Sequence, residues 1–195
     1  MNEIIVEIGI LLDDDYVYYN RLLESKDLFN IYNAKTHDIY FTNKKLDDLT
    51  ERQIKDSCIR LRNSFEVGKD NDEYVIQNAY DLDLPVSFKE DELDSIVKKL
   101  EELGYKKVID TKKIDHHFHK DGMASRIQLQ DIDDIGLVLY YDNCNYYHLP
   151  VKEQRDRLIE ELNEYGLNIK PGTPGIDKLR TLYYKKNMYS DNQNG

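Results

Sequence analysis

The 195-residue chain has no tryptophan, four prolines, two cysteines and far fewer basic than acidic side chains. Cys58 and Cys144 form no CxxC pair, which excludes a disulfide framework and a cysteine-rich metal site and points to a reducing, cytoplasmic setting. Lys and Arg number 27 against 38 Asp and Glu, a net charge of −11. Such a chain lacks the basic face that broad nucleic-acid binding requires. No apolar run approaches the ~20 residues that span a bilayer, so no membrane partner is expected. The opening "MNEIIVEIGILLDDD" has no basic stretch and no small-residue cleavage site, so no signal peptide is expected.

Sixteen tyrosines and a 40% hydrophobic fraction are present, enough for a folded core. Residues 1–188 are expected to form a single domain, and 189–195 a disordered tail. In the first strand Ile4, Val6, Ile8 and Ile10 alternate with Glu3, Ile5, Glu7 and Gly9. A helix is expected from about Asp14 to Ser25, a strand in "NIYNAKTHDIYFTN" and a short helix after Thr50, which forms a capping box with Gln53. "CIRLRNSFE" and "EYVIQNAYDL" read as strands joined by a hairpin turn. In the central helix Ser87 and Glu90 form a capping box. Leu93, Ile96, Val97, Leu100 and Leu103 form its stripe, and Gly104 its C-terminal cap. Three strands follow, two of them joined at Asp121-Gly122. A helix from "VKEQRDRLIEELNEYG" comes next, then a last helix capped by Thr173 with Pro174 in its first turn.

The strands share one pattern. Arg60 and Arg62 face away from Ile59 and Leu61; Arg126, Gln128 and Gln130 face away from Ile127 and Leu129. Tyr140 and Asp142 oppose Leu139 and Tyr141, while Lys113, Asp115, His117 and His119 share a side. Two structures explain this: a sheet with helices on one face and water on the other, or a sheet curled around a hydrated tunnel. Arginines, glutamines and tyrosine suit a fixed anion better than bulk water.

On these residues the chain resembles the CYTH superfamily of class IV adenylate cyclases, thiamine triphosphatases and other triphosphate tunnel enzymes. "THDIYF" keeps Asp38, Tyr40 and Phe41 of the family's Q-x-D-x-Y-F, and "CIRLR" keeps both arginines of R-x-R. "LQDIDDIGLVLYYD" lies over L-D-x-V-x-x-L-G, with Ile132, Gly136 and Asp142 in register. The resemblance implies an α+β fold: an antiparallel β-barrel tunnel of about eight strands with helices outside. It also implies a triphosphate ligand held with divalent cations. The opening E-x-E-x-K, however, falls on Ile5, Glu7 and Gly9; K-x-R becomes Lys113 and Asp115; and Tyr140 replaces the first glutamate of a later E-x-E.

The expected ligand-binding set is therefore Arg60, Arg62, Lys113 and Arg126 for phosphates, with Gln128, Gln130 and Tyr140 for a base or sugar. Glu7 and Asp142 remain as metal ligands, enough for one weakly held Mg²⁺ or Mn²⁺. This balance favours binding a nucleotide or related organophosphate, as a sensor or sequestering protein, over cleaving one. Two alternatives stay open. One is an active cyclase or triphosphatase in which Asp38, Asp115 or Glu73 replaces the missing ligands. The other is an acidic interaction protein with a vestigial tunnel. Exposed strand edges make a homodimer a further expectation. "DHHFH" has a metal-like spacing on one strand face, Cys58 lies beside an arginine, and "KPGTPG" reads as a turn.

Overall fold

The computed structural model describes residues 6–12, 17–26, 28–46, 51–120 and 126–191. The first strand's residues before Val6, the acidic run at 13–15, Thr50, Asp121-Gly122 and the last four residues lie outside them. The strands are β1 (Ile8–Leu11), β2 (Phe29–Thr42), β3 (Ile59–Glu66), β4 (Glu73–Gln77), β5 (Ser87–Lys89), β6 (Lys106–His119), β7 (Ile127–Ile132) and β8 (Gly136–Tyr141). The helices are α1 (Val17–Glu24), α2 (Glu51–Ser57), α3 (Leu93–Glu102), α4 (Val151–Glu164) and α5 (Lys178–Asp191).

The fold is α+β, with one eight-stranded antiparallel sheet in the order β1-β8-β7-β6-β2-β3-β4-β5. This matches the expected class and strand number. Pairing ends at β1 and β5, so among the described residues hydrogen bonds do not close the sheet into a barrel. The chain gathers into two compact units. One holds the residues up to Asn33 with Ile114–Ile132 and Gly136–Ile176. The other holds Ala34–Lys113, Asp133–Ile135 and the chain from Asp177 on.

In the first unit, the aliphatic faces of β1, β7 and β8 make a core. Ile8, Ile10, Ile127, Leu129, Leu137, Leu139 and Tyr141 pack with Leu22 of α1 and Leu158, Ile159 and Leu162 of α4. Alternation in the sequence dictates this, because successive strand side chains point to opposite faces. In the second unit, Ile39, Phe41, Ile59, Leu61, Tyr74, Ile76 and Phe88 pack with Ile96 and Leu100 of α3. Burial at this density makes truncation of Leu100, which is fully buried, a loss of about 2–5 kcal/mol.

Local corrections have simple causes. "SFK" forms β5, because Phe88 pairs with Tyr74 in register and joins the core. The helical turn therefore starts later: Glu92 accepts from the Lys89 backbone N–H at 2.9 Å, and α3 begins at Leu93. Leu103 leaves the stripe and is 48% exposed. It sits at the C-terminal cap, where Gly104 (φ 86°) donates to Glu101 and Tyr105 donates to Leu100. The last helix starts at Lys178 instead of Pro174, because Asp177 accepts from the Arg180 backbone N–H at 3.0 Å. Thr173 instead bonds back to the Lys170 carbonyl at 2.8 Å, closing a turn.

Candidate functional site

Strand register builds a polar face on the second unit. Asp38 lies opposite Arg62, Tyr40 opposite Arg60, and Arg60 opposite Gln77 on β4. The other face of these strands holds Ile39, Leu61 and Ile76, so core burial on one side fixes the polar row on the other.

The two arginines make different bonds. Arg62 donates to both Asp38 carboxylate oxygens, at 2.7 Å from Nε and 2.6 Å from Nη2. Asp38 is 2% exposed. Burial alone would raise its pKa. The Arg62 hydrogen bonds and charge, with the charges of Lys113 and Arg60, outweigh that and hold it below the usual carboxylate value. Arg60 donates through Nε and Nη2 to Gln77 Oε1, with the Nε contact at 2.7 Å. Its Nη1 donates to the Tyr40 hydroxyl at 3.4 Å, and its guanidinium carbon lies 5.8 Å from the Tyr40 ring centre. Its nearest carboxylate among the described residues is Asp38, 4.0 Å from Nε and already chelated by Arg62. Arg60 thus keeps a cation, about a quarter accessible, among neutral partners.

Lys113 is buried on the same unit and acts on Asp38 through its charge, so the structure brings Arg60, Arg62 and Lys113 about one carboxylate. The remaining candidates lie on the first unit. Gln128 donates to Asp115 at 3.1 Å and lies opposite Tyr140 in register, with Gly9 on the far side of Tyr140. A Cβ on Gly9 would fall 2.8 Å from the Tyr140 ring, so only glycine leaves that ring its room. Gln130 is buried and Arg126 is exposed just ahead of β7.

Glu7 and Asp142 share a neighbour that sequence reasoning missed. Tyr147 donates its hydroxyl to Asp142. Burial first, and then Asp142 and Glu7, push the Tyr147 hydroxyl's pKa upward. No group of three or more His, Cys, Asp or Glu side chains is placed to hold a metal ion among the described residues. Two carboxylates, one engaged by a tyrosine, are a short donor set for Mg²⁺ or Mn²⁺. The carboxylates expected to stand in are engaged too: Asp38 with Arg62, Asp115 with Gln128, and Glu73 with Ser87 at 2.6 Å.

The histidine cluster is drawn into ring contacts. His117 stacks on Tyr32 at 4.2 Å, and His116 bonds Asn33 at 2.8 Å. Cys58 is fully buried, and burial pushes its thiol pKa up, which makes it inert. Gln77 and Tyr147 carried no motif. Gln77 becomes legible only through cross-strand register, and Tyr147 only through the turn after β8.

No protein-family model matches the chain, and no curated protein matches it. Solved structures are similar in fold. The PH1819 protein of Pyrococcus horikoshii OT3 superposes with a TM-score of 0.54 at 15% identity, covering 86% of this chain and 92% of that one. The PH1012 protein of the same organism gives 0.54 at 14%, covering 93% and 98%. A conserved hypothetical protein of Pyrococcus furiosus gives 0.52 at 14%, covering 87% and 94%. At these identities the likeness shows the fold alone: the eight-stranded α+β arrangement is one that whole chains of similar length adopt.

Proposed function

We propose that this protein binds a phosphate-bearing small molecule, of which a nucleotide is the expected example, on the polar face of β2, β3 and β4. One observation carries the reading: Arg60 presents a guanidinium held by a carboxamide and a phenol, with its nearest carboxylate among the described residues already chelated. A phosphate oxygen there would receive charge-assisted hydrogen bonds, about twice as strong as neutral ones. Arg62 serves as the brace that keeps Asp38 ionised and the row aligned. Binding without turnover, as in a sensor or a sequestering protein, is the preferred form. Phosphoryl transfer needs cations to neutralise developing charge, and the carboxylate set among the described residues is short. Reading of a base or sugar by Gln128, Gln130 and Tyr140 is a separate proposal about the first unit.

Titration calorimetry with tripolyphosphate, ATP and cyclic AMP tests the reading, with phosphate and cyclic AMP release followed in Mn²⁺. Saturable binding of tripolyphosphate, weakened about tenfold or more in Arg60→Ala, is expected, without product release. Normal binding by Arg60→Ala would remove the site. Binding of adenosine, measured separately and weakened in Gln128→Ala, supports base reading by the first unit.

A further inference from the structure

The β4–β5 end of the second unit is exposed in an unusual way. Its loop, residues 78–86, is well anchored. Asn78 donates to the Cys58 carbonyl at 3.0 Å, Lys99 donates to the Asp83 carbonyl at 2.5 Å, and Leu82 and Leu84 pack on the core. A loop held at these points has positions to spare for polar residues. Instead Tyr80 is 92% exposed and Val86 80%. Val75, on the same face of β4 as Gln77, is 40% exposed, and β5 ends the strand order. Isolated apolar residues on a surface are ordinary, but three large ones around one hairpin are the kind of anchor that partners cover.

Charge selects the partner. Residues 70–94 hold nine carboxylates against the single Lys89, eight of the chain's eleven net negative charges. All nine are exposed, and Lys89 is already paired with Asp72 at 2.5 Å. β4 is five residues long, about 16 Å, so anchors and carboxylates share one strip. A second copy of this chain would bring like charge against like, which costs several kcal/mol at an interface and rejects that occupant.

We propose that the strip formed by β4, β5 and the loop 78–86 docks a lysine- and arginine-rich polypeptide segment. Tyr80 and Val86 act as its apolar anchors, and the surrounding carboxylates supply attraction and register. Val75 lies opposite Arg62 in register, so the strip borders the anion face, while Tyr80 and Val86 lie on the loop beyond β4 and the two sites are told apart by their variants.

The test uses the full chain and a fluorescein-labelled 15-residue peptide of Lys and Arg with Leu at every fourth position, read by fluorescence polarisation. Binding should weaken with added salt. It should fall about tenfold in Tyr80→Ser with Val86→Ser, whose side chains are too exposed to threaten folding. It should weaken more in Asp81→Asn with Asp83→Asn than in Glu153→Gln with Asp156→Asn, an equal charge change on α4. Arg60→Ala should bind the peptide as the parent does. Full binding by the Tyr80/Val86 variant, or equal loss from the α4 pair, would overturn the proposal. So would a dimer of the unmixed chain in sedimentation that the Tyr80/Val86 variant abolishes, since the occupant would then be a second copy.

Discussion

Arg60 and Arg62 stand two residues apart on one face of one strand, yet among the described residues Arg62 chelates a carboxylate and Arg60 comes no nearer than 4.0 Å to that same one. Arg62 grips a buried carboxylate with two hydrogen bonds, and Arg60 is cradled by an amide and a phenol. Both were expected to clamp phosphate as equals. The difference teaches that residue type and strand face do not decide what an arginine is for. The residue in register across the strand pair decides it: Asp38 in one case, Tyr40 and Gln77 in the other.

The comparison breaks most visibly at Arg62. Arg62→Ala leaves Asp38 buried without its main partner and should destabilise the chain by about 3–5 kcal/mol in urea unfolding. Adding Asp38→Asn should recover part of that loss, as expected when the penalty is an uncompensated charge. Arg60→Ala should stay within about 1 kcal/mol of the parent while losing the anion. Equal destabilisation by the two alanines would erase the distinction. A milder exchange sharpens it. Gln77→Glu gives Arg60 a carboxylate and should depress tripolyphosphate affinity about as much as Arg60→Ala, with stability changed by about 1 kcal/mol or less. Unchanged affinity in that variant would mean that the anion does not depend on Arg60's charge.

Acid titration gives a smaller effect, and its sign follows from the direction of each shift. Asp38 and Asp110 both have folded pKa values below the ordinary 3.8. Their stabilisation is therefore fully present above about 4 and is lost as pH falls through the folded value. Asp110 accepts from His37 at 2.8 Å, and this bond leads its shift to about 2 despite partial burial. His37 also bonds the Tyr74 hydroxyl at 2.6 Å, so the trio ties three strands on the core side of the same sheet. Asp110 is a third exposed, so after solvent screening Asp110→Asn should remove under about 1 kcal/mol, and only above pH 2. Asp38→Asn, in the drier site, should flatten the acid limb more. The reverse ranking would place the stronger charge pairing on the core side of the sheet.

Much of this could be read from the chain. Alternation in "CIRLR" and "SRIQLQ" marked strands, their core faces and the antiparallel α+β class, because period-two patterning acts locally; "GLVLYYD" marked a strand, but Leu137–Tyr141 is buried on both faces. The arginines were placed on a polar face for the same reason. Other features depend on contacts distant in sequence. β5 is three residues long and is made a strand by Tyr74 and Val75 across the hairpin, so the helical capping signal in "SFKE" misled. The Asp38–Arg62 chelate spans 24 residues, and nothing local distinguishes it from an open pair. At the last helix the expected cap, Thr173, closes a turn on Lys170 instead, and Asp177 takes the capping role.

Gly9 and Tyr140 recast two of the departures from the CYTH pattern. The resemblance places a lysine at position 9 and a glutamate at 140, and counted separately these are two lost functional groups. They face each other across β1 and β8, with the Tyr140 ring in the space that any side chain at 9 would need. They occupy one space: the Tyr140 ring covers backbone at position 9 that carries no side chain, so the two departures are physically one. Neither substitution alone is accommodated: lysine at 9 would collide with the ring, and glutamate at 140 would face a gap. The two positions are coupled, so a side chain at 9 requires a smaller residue at 140.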